Sequence, residues 1–216
     1  MAEAPAPYDL AISVLAVAGS RMGGLWLRAR PSGARDLVLR ELERVMPETA
    51  RIAPTSDDFV LFGGIDVAAS LATGRKTLSE GALAKSGRVT LTNAERASAG
   101  LSGRLAGVLD AQRHTLVALD EGAEEDETLP DGLSARLGLF VSLDGVRAAD
   151  VLFKVTRSNL AQARQHFKKV SISADIETKL AEVAGMLAVD EPRHLLAARH
   201  AARALAALDE RSDVTE

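Results

Sequence analysis

The hydrophobic positions of the chain form short apolar segments that alternate with longer amphipathic ones. The short segments predict β-strands over residues 25–27, 51–54, 87–92, 115–119 and 138–143. Apolar positions at helical spacing predict helices over 34–46, 65–72, 78–84 and 94–111. The first apolar segment, 10–18, fits either a strand or a helix. Because strands that alternate with helices form parallel sheets, the pattern predicts an α/β fold with helices on both faces of the sheet.

Beyond about residue 150 the pattern contains helices alone. It predicts a helix over 159–167, one that begins after Ser173 and one that begins near Arg193. Ser173 is a typical N-cap residue, because its hydroxyl can accept a hydrogen bond from the first turn. The buried faces are predicted from apolar spacing as Ile176, Leu180, Val183 and Leu187 in the second helix, and Ala198, Ala202, Leu205 and Leu208 in the last. We therefore expect an α/β core over residues 1–155 and a small all-helical domain over 156–216.

The composition excludes several classes of protein. Of the 216 residues 47% are hydrophobic but only 3% are aromatic, which suits helices packed on a sheet better than a β-sandwich. The chain has no cysteine, which excludes disulfides, thiolate metal ligands and cysteine nucleophiles. The net charge of −4 gives no electrostatic footprint for nucleic acid. The segment 10–18 is too short to span a membrane, and the N-terminus lacks the basic region of a signal peptide, so we expect a cytoplasmic protein.

One strand ends in a pair of acids, Asp120 and Glu121, as do the strands with which nucleotide hydrolases hold Mg²⁺. That chemistry needs a phosphate-binding loop of the pattern GxxxxGK[ST] upstream. At the expected junction, residues 29–36, Arg35 stands at the lysine position and Asp36 at the Ser/Thr position. Pro31 removes an amide donor, and a carboxylate repels phosphate, so the loop predicts weak nucleotide binding or none. A solvent-facing acidic loop that begins at Asp120 is favoured over a magnesium site.

The remaining candidates are isolated side chains. The histidines show no metal-ligand spacing and are interpreted as surface or cap residues: His114, His166, His194 and His200. Arg136 precedes a predicted strand, and Arg193 follows Pro192 at the start of the last helix. Taken singly, each arginine is interpreted as a surface residue, although arginine at such an edge is also the residue that reaches phosphate.

Four segments taken in order resemble a known family. They are residues 22–29, residues 61–75 continuing into 78–84, residues 116–120 with 133–139, and the Pro192-Arg193 start of an Ala/Arg-rich helix. Together they resemble the N-terminal AAA+ module of the D-type subunit of magnesium chelatase, with a layout shared by the ATPase subunit I and by MoxR-type ATPases. The resemblance implies an AAA+ core followed by a helical lid, here one module of a longer protein.

The resemblance assigns a role to each candidate residue. It makes Asp120 similar to a sensor-1 residue rather than a magnesium ligand, because the magnesium-binding strand of the active relatives corresponds to residues 87–93. Arg136 matches the arginine-finger position, and Arg193 matches the sensor-2 position. Both nucleotide motifs are degenerate: the Walker A positions are Ala29, Ala34, Arg35 and Asp36, and the Walker B positions are Thr92 and Asn93.

The resemblance implies a subunit without hydrolysis of its own. Such a module forms a ring platform for the ATPase subunit I, and the complex, which includes the porphyrin-carrying H-type subunit, inserts Mg²⁺ into protoporphyrin IX. ATP and Mg²⁺ would be used by the complex and not bound tightly by this chain. Two alternatives stay open: a self-sufficient MoxR-like ATPase chaperone that uses Asp120 and Glu121, and an assembly domain without nucleotide contact.

Overall fold

A parallel sheet forms the centre of the molecule. The computed structural model describes residues 6–124, 126–154 and 157–215. In this part of the chain the strands are β1 (Gly24–Arg28), β2 (Glu48–Ile52), β3 (Gly63–Ile65), β4 (Leu78–Glu80), β5 (Gly87–Leu91), β6 (His114–Asp120) and β7 (Leu139–Ser142). Five of them form the all-parallel sheet, in the order β2-β5-β6-β1-β7. β3 and β4 pair separately as an antiparallel hairpin.

Helices cover both faces of the sheet and follow it at the end of the chain. They are α1 (Pro7–Ala18), α2 (Gly33–Val45), α3 (Asp58–Phe62), α4 (Val67–Thr73), α5 (Ala99–Asp110), α6 (Asp131–Ser134), α7 (Arg157–Phe167), α8 (Ala174–Met186) and α9 (Pro192–Leu208). Short 3₁₀ turns occupy Gly19–Met22, Ala94–Arg96 and Ala148–Asp150. Among the described residues, no helix combines the length and the apolar character that crossing a bilayer requires.

The sheet is apolar on both faces because each face carries its own hydrophobic cluster. Along β6, Val117 and Leu119 face a cluster shared with α1 and α2, while Leu116 and Ala118 face a cluster shared with α5 and α6. All four side chains are at most 3% exposed. Strands buried on both faces are typical of parallel sheets, and this confirms the predicted α/β class.

The C-terminal helices continue the first of these clusters. Buried residues of α7 and α9 belong to the same cluster as those of α1 and α2. Arg164 on α7 donates to the carbonyl oxygens of Ala16, at 2.7 Å, and of Val45, at 2.8 Å. The helical end of the chain is therefore packed against the α/β part. The predicted domain boundary falls on residues 155 and 156, which lie outside the described residues, so it stays a prediction.

Three predictions about secondary structure and burial need correction or completion. The segment 10–18 is helical, as part of α1. The helix predicted over 78–84 is wrong, because residues 78–80 form β4 and pair with β3. In α8 the predicted N-cap is confirmed, since Ser173 Oγ accepts from the Ile176 amide, but Val183 and Leu187 are 51% and 70% exposed.

The buried face of α9 also differs from the prediction. Ala198 is exposed, and the buried positions are alanines one residue away or further along: Ala197, Ala204, Ala206 and Ala207. A Cβ at Gly138 would press against Ala197, so the absence of a side chain there lets α9 approach the start of β7 closely. Of the four predicted positions, Leu205 and Leu208 do pack against the cluster, partly buried, whereas Ala198 is turned to solvent and Ala202 is only half-buried.

Candidate functional site

The carboxyl ends of three neighbouring strands bring together the segments with predicted nucleotide roles. β1 leads into the loop 29–36, β5 leads into Thr92 and Asn93, and β6 ends at Asp120. In the sheet register Arg28 lies beside Asp120. After β1 the chain crosses to β2, at one outer position of the sheet, and after β6 it crosses to β7, at the other outer position. The two connections therefore run in opposite directions from neighbouring strands. Such a switch point is where open α/β sheets bind their ligands.

Asp120 is buried at the centre of this edge. Its Oδ2 accepts a hydrogen bond from Trp26 Nε1 at 2.8 Å, and its Oδ1 accepts one from the Gly122 amide at 2.9 Å. The Arg28 guanidinium lies 3.8 Å from Oδ2, and the Asp120 side chain is 0% exposed. The favoured interpretation of Asp120 as the start of a solvent-facing loop is therefore wrong. The half-buried indole N–H of Trp26 on the adjacent strand needs an acceptor, and the Asp120 carboxylate supplies it.

The loop at the phosphate-binding position is closed by its own side chains. Ser32 caps α2 by accepting from the Arg35 amide at 3.2 Å. The Arg35 guanidinium donates to Glu121 Oε1 at 2.6 Å and to the Ala29 carbonyl at 3.4 Å. The Arg35 and Glu121 side chains are only 16% and 26% exposed. The cation that replaces the lysine is thus neutralised by a carboxylate that follows β6.

The other Walker A positions also depart from what phosphate binding needs. Ala29 and Ala34, which stand where glycines are expected, are both buried in the hydrophobic cluster of the first sheet face. Asp36 is exposed in the first turn of α2. An acid there is favourable to the helix dipole, but it repels an incoming phosphate.

The positions that follow β5 carry no carboxylate. The Thr92 amide and hydroxyl donate to the Ile52 carbonyl at 3.0 and 3.3 Å, which extends the pairing of β5 with β2 by one residue. Asn93 has a φ of 45°, in the left-handed region that asparagine tolerates. Within the described part of the chain, no group of three His, Cys, Asp or Glu side chains could hold a metal ion.

The acidic segment after β6 folds back on the same edge. Arg28 Nη2 donates to the Glu124 carbonyl at 2.8 Å. Glu127 Oε2 accepts from the amides of Ala123, at 2.7 Å, and Glu124, at 3.3 Å, and these hydrogen bonds lower the pKa of Glu127. The charged groups at this edge therefore bind one another and the local backbone.

Arg136 and Arg193 meet at the opposite, amino-terminal edge of the sheet. They line a cleft of about 150 Å³ next to the starts of β1 and β7. Both contact Asp110: Arg136 Nε and Nη2 lie 3.0 and 2.8 Å from its two oxygens, and Arg193 Nη2 lies 3.5 Å from Oδ1. The hydrogen bond from Arg136 lowers the pKa of Asp110, and the same contact raises the pKa of Arg136. We call this site the arginine cleft.

Glycine and histidine complete the arginine cleft. Gly23 has a φ of +65°, and a Cβ there would collide with the carbonyl oxygen of Arg136. Only glycine allows β1 to begin so close to Arg136. His200 lines the cleft from α9, and its pKa is lowered by burial and then by the nearby guanidinium of Arg203.

Sequence reasoning missed several residues of both edges. Asp110 and Trp26 gave no motif, and their roles depend on contacts between distant segments. The interpretation of His114 as a surface or cap residue is wrong, because its side chain is buried at the start of β6 and burial lowers its pKa. A usable signal existed for Trp26 alone, since a lone tryptophan in a buried strand needs an acceptor for its N–H.

Comparison with solved structures supports the fold. The chain has a TM-score of 0.62 and 17% identity to a crystal structure from Cytophaga hutchinsonii provisionally assigned as an ATPase, over 96% of this chain and 81% of that one. This likeness shows the fold alone: a five-stranded parallel sheet with helices on both faces and a helical end of the chain, as the sequence pattern predicts.

Two sequence relatives show which proteins this chain is similar to. The chain is 40% identical over 209 residues to the magnesium-chelatase 60 kDa subunit of Cereibacter sphaeroides and 38% identical over 208 residues to that of Rhodobacter capsulatus. The matches cover 96% and 94% of this chain but only 38% and 37% of the relatives. No family model matches. Nearly the whole chain is thus similar to one segment, under two fifths in length, of the magnesium-chelatase 60 kDa subunits.

Proposed function

We propose that this chain is a non-hydrolysing AAA+ module of a magnesium chelatase. It forms a ring platform on which the ATPase subunit I docks, and the assembly, with the porphyrin-carrying H-type subunit, uses ATP to insert Mg²⁺ into protoporphyrin IX in the cytoplasm. The identity to the two 60 kDa subunits supports the choice of enzyme. The residues at the carboxyl ends of β1, β5 and β6 support the proposal that the module does not hydrolyse ATP itself.

The observation that carries the proposal is the internal neutralisation of the phosphate-binding position. Glu121 holds the Arg35 guanidinium at 2.6 Å, so a nucleotide would have to displace a carboxylate before reaching the cation. Thr92 and Asn93 offer no acid to hold Mg²⁺. Phosphoryl transfer depends on a positioned cation and a bound metal, and the residues present at this edge supply neither.

The arginine cleft supports a contribution to a neighbour's site. Arginine fingers act in trans by placing a guanidinium against the charge that develops on a transferred phosphoryl group. Arg136 and Arg193 lie together at the edge far from their own loop 29–36, and Arg193 is 47% exposed. In a ring, such an edge faces the nucleotide of an adjacent subunit.

Unpartnered apolar surfaces support association with other subunits. The α3–β4 segment exposes about half or more of several large side chains: Phe59, Phe62, Ile65, Val67, Leu71 and Leu78. Further along the chain, Met186 at the end of α8 and the next residue, Leu187, are 84% and 70% exposed. Exposed apolar groups concentrated in this way mark interaction surfaces. Two unlike surfaces on one chain suit the head-to-tail contacts from which rings are built.

The test is a mixture of this chain with subunit I. We expect a larger complex by size-exclusion chromatography and an altered ATPase rate of subunit I. Arg136→Ala and Arg193→Ala should reduce that alteration at least about tenfold, because guanidinium contacts to the reacting phosphate are lost. Arg211→Ala is the matched control, because Arg211 also pairs with an aspartate, Asp209 at 3.0 Å, but lies outside the cleft. Complex formation with unchanged ATPase in both cleft variants would favour an assembly domain without nucleotide contact.

The self-sufficient ATPase is the competing function, because Asp120 does lie at a strand end, beside Arg28, from which the chain continues into the loop 29–36. It requires tight ATP binding and turnover by the chain alone. We expect negligible turnover, since Asp120 is already bonded to Trp26 and Gly122. Brisk Mg²⁺-dependent hydrolysis by the isolated chain, abolished by Asp120→Asn, would contradict our proposal.

A further inference from the structure

Asp110 occupies an electrostatically unfavourable position. It is the last residue of α5, where the partial negative charge of the helix C-terminus disfavours an acid. Its side chain is 44% exposed, so burial does not hold it there. What holds it is the pair of guanidinium groups of Arg136 and Arg193. The carboxylate is thus kept in place by the cleft rather than by its own helix.

The arginine cleft is otherwise cationic. Arg21, Arg136 and Arg193 all line it, and among the described residues that line it Asp110 carries the sole carboxylate. The Arg21 guanidinium lies 5.7 Å from the centre of the Phe167 ring, which leaves its charge uncompensated by that contact. Just outside the lining, Glu191 Oε1 lies 3.5 Å from Arg193 Nη1. Three cations against these two acids leave a positive surplus, which grows when Asp110 is displaced and then favours an anion of more than one charge.

The contact between Arg136 and Asp110 has the geometry of phosphate recognition. Two guanidinium nitrogens, Nε and Nη2, each donate to a different carboxylate oxygen at 3.0 and 2.8 Å. Arginine binds phosphate through the same paired donors. A third donor of Arg136, Nη1, is held by the Gly132 carbonyl at 2.8 Å, which fixes the guanidinium independently of Asp110. The arginine therefore keeps its orientation when the carboxylate leaves.

We propose that Asp110 is an internal counter-ion that fills the anion position of the arginine cleft and competes with an incoming polyphosphate. This inference rests on the proposed function only in naming that polyphosphate as the nucleotide of a neighbouring subunit. Asp110 then sets a threshold: the two arginines engage only a ligand with enough charge to displace it. A monoanion has no advantage over the tethered carboxylate, whereas a triphosphate does.

The test measures binding of inorganic tripolyphosphate to the isolated 216-residue chain by isothermal titration calorimetry at low ionic strength. Asp110→Asn should bind it roughly five- to tenfold more tightly than the unsubstituted chain, because one negative charge within about 4 Å of the ligand is removed. Asp209→Asn is the matched control: it also removes an exposed helix-end aspartate paired with an arginine, and its affinity should equal that of the unsubstituted chain. The triple variant D110N/R136A/R193A should lose the increase in tripolyphosphate affinity that Asp110→Asn gives.

Several results would overturn the inference. Affinity that is equal or lower in Asp110→Asn, or undetectable in both chains, excludes a competing counter-ion, and so does a gain that persists in the triple variant. As a measurement on the unsubstituted chain, tripolyphosphate should shift the Arg136 Nε–H resonance in NMR spectra; an unmoved resonance counts against the inference. Tighter tripolyphosphate binding by Asp110→Asn, together with an unchanged ATPase effect of Arg136→Ala and Arg193→Ala, would support this inference and refute the proposed function. Unchanged tripolyphosphate binding, together with a reduced ATPase effect of the two arginine variants, would refute this inference and support the proposed function.

Discussion

The two edges of the sheet handle charge in opposite ways. At the carboxyl edge, Asp120 is fully buried and Arg35 is only 16% exposed, and each is bonded to a neighbouring segment. At the amino edge, Asp110 and Arg193 are 44% and 47% exposed; Arg136 is only 19% exposed, but its partner Asp110 is open to solvent, so these contacts can be exchanged for others. The edge where open α/β sheets usually bind ligands is here held by its own ion pairs and hydrogen bonds, and the other edge carries the solvent-exposed charges.

The physical basis of this difference is solvation. A buried ion pair that loses one partner leaves a charge without water or counter-ion, whereas an exposed pair that is broken is rehydrated. Substitutions at the carboxyl edge should therefore change stability, and substitutions at the amino edge should change binding. Three predictions follow this contrast, in order of decreasing effect.

The largest effect is expected when the buried carboxylate is removed. Asp120→Ala should lower the free energy of unfolding by about 3–5 kcal/mol, because the Trp26 N–H and the Gly122 amide lose their acceptor and the Arg28 guanidinium loses its nearby counter-ion. Asp110→Ala should change it by less than about 1 kcal/mol. Urea unfolding followed by circular dichroism measures both. An equal loss of unfolding free energy in the two variants would show that the two edges do not differ in this way.

A smaller effect is expected from pH. The pKa of His114 is lowered from its ordinary value of 6.5, mainly by burial and further by Arg113, so the unfolded chain takes up this proton first as the pH falls. The contribution of His114 to stability is therefore complete above about pH 6.5 and is lost progressively below it. His114→Leu should flatten the dependence of the unfolding free energy on pH between 7 and 5.

His200 supplies the internal comparison for this measurement. Its pKa is also lowered, mainly by burial, and it lines the arginine cleft rather than the core beside β6. Part of the slope should therefore survive in His114→Leu. A slope equal to that of the unsubstituted chain would show that His114 is protonated equally in the folded and unfolded states.

The smallest effect is expected from a repair of the Walker A positions. Arg35→Lys combined with Asp36→Thr restores the motif residues, but Pro31 still lacks an amide, and Thr92 and Asn93 still provide no magnesium ligand. The ATPase rate of the isolated chain, measured by phosphate release, should stay at background. Measurable turnover in the repaired chain would mean that the carboxyl edge is closer to an active site than its ion pairs indicate.

Much of the fold could be predicted because it depends on local pattern. β1, β5, β6 and β7 fall within a residue or two of the prediction, since buried parallel strands read as short apolar runs. β4 was predicted as a helix because its identity depends on pairing with β3, a contact that spacing within 78–84 does not encode. The prediction that the apolar face of α8 is buried failed for a similar reason. Helical spacing indicates which residues share a face, but not whether another element covers that face.

The candidate site was predictable only in part. The loss of lysine and acids could be read directly at Arg35, Thr92 and Asn93. The burial of Asp120 and the meeting of Arg136 with Asp110 could not, because both depend on segments 26 to 94 residues apart in the chain. The sequence gives the sign of each charged side chain, but its exposure to solvent depends on the folded chain.

The side chain of Arg164 connects the C-terminal helices to the α/β part of the molecule. It joins α7 to carbonyls near the C-terminal ends of α1 and α2, where helices leave such groups without intrahelical partners. Because α9 also contacts the start of β7 at Gly138, the helical part is fastened to the sheet at two separated places. A displacement of α9 is therefore expected to be transmitted to the sheet through these two contacts.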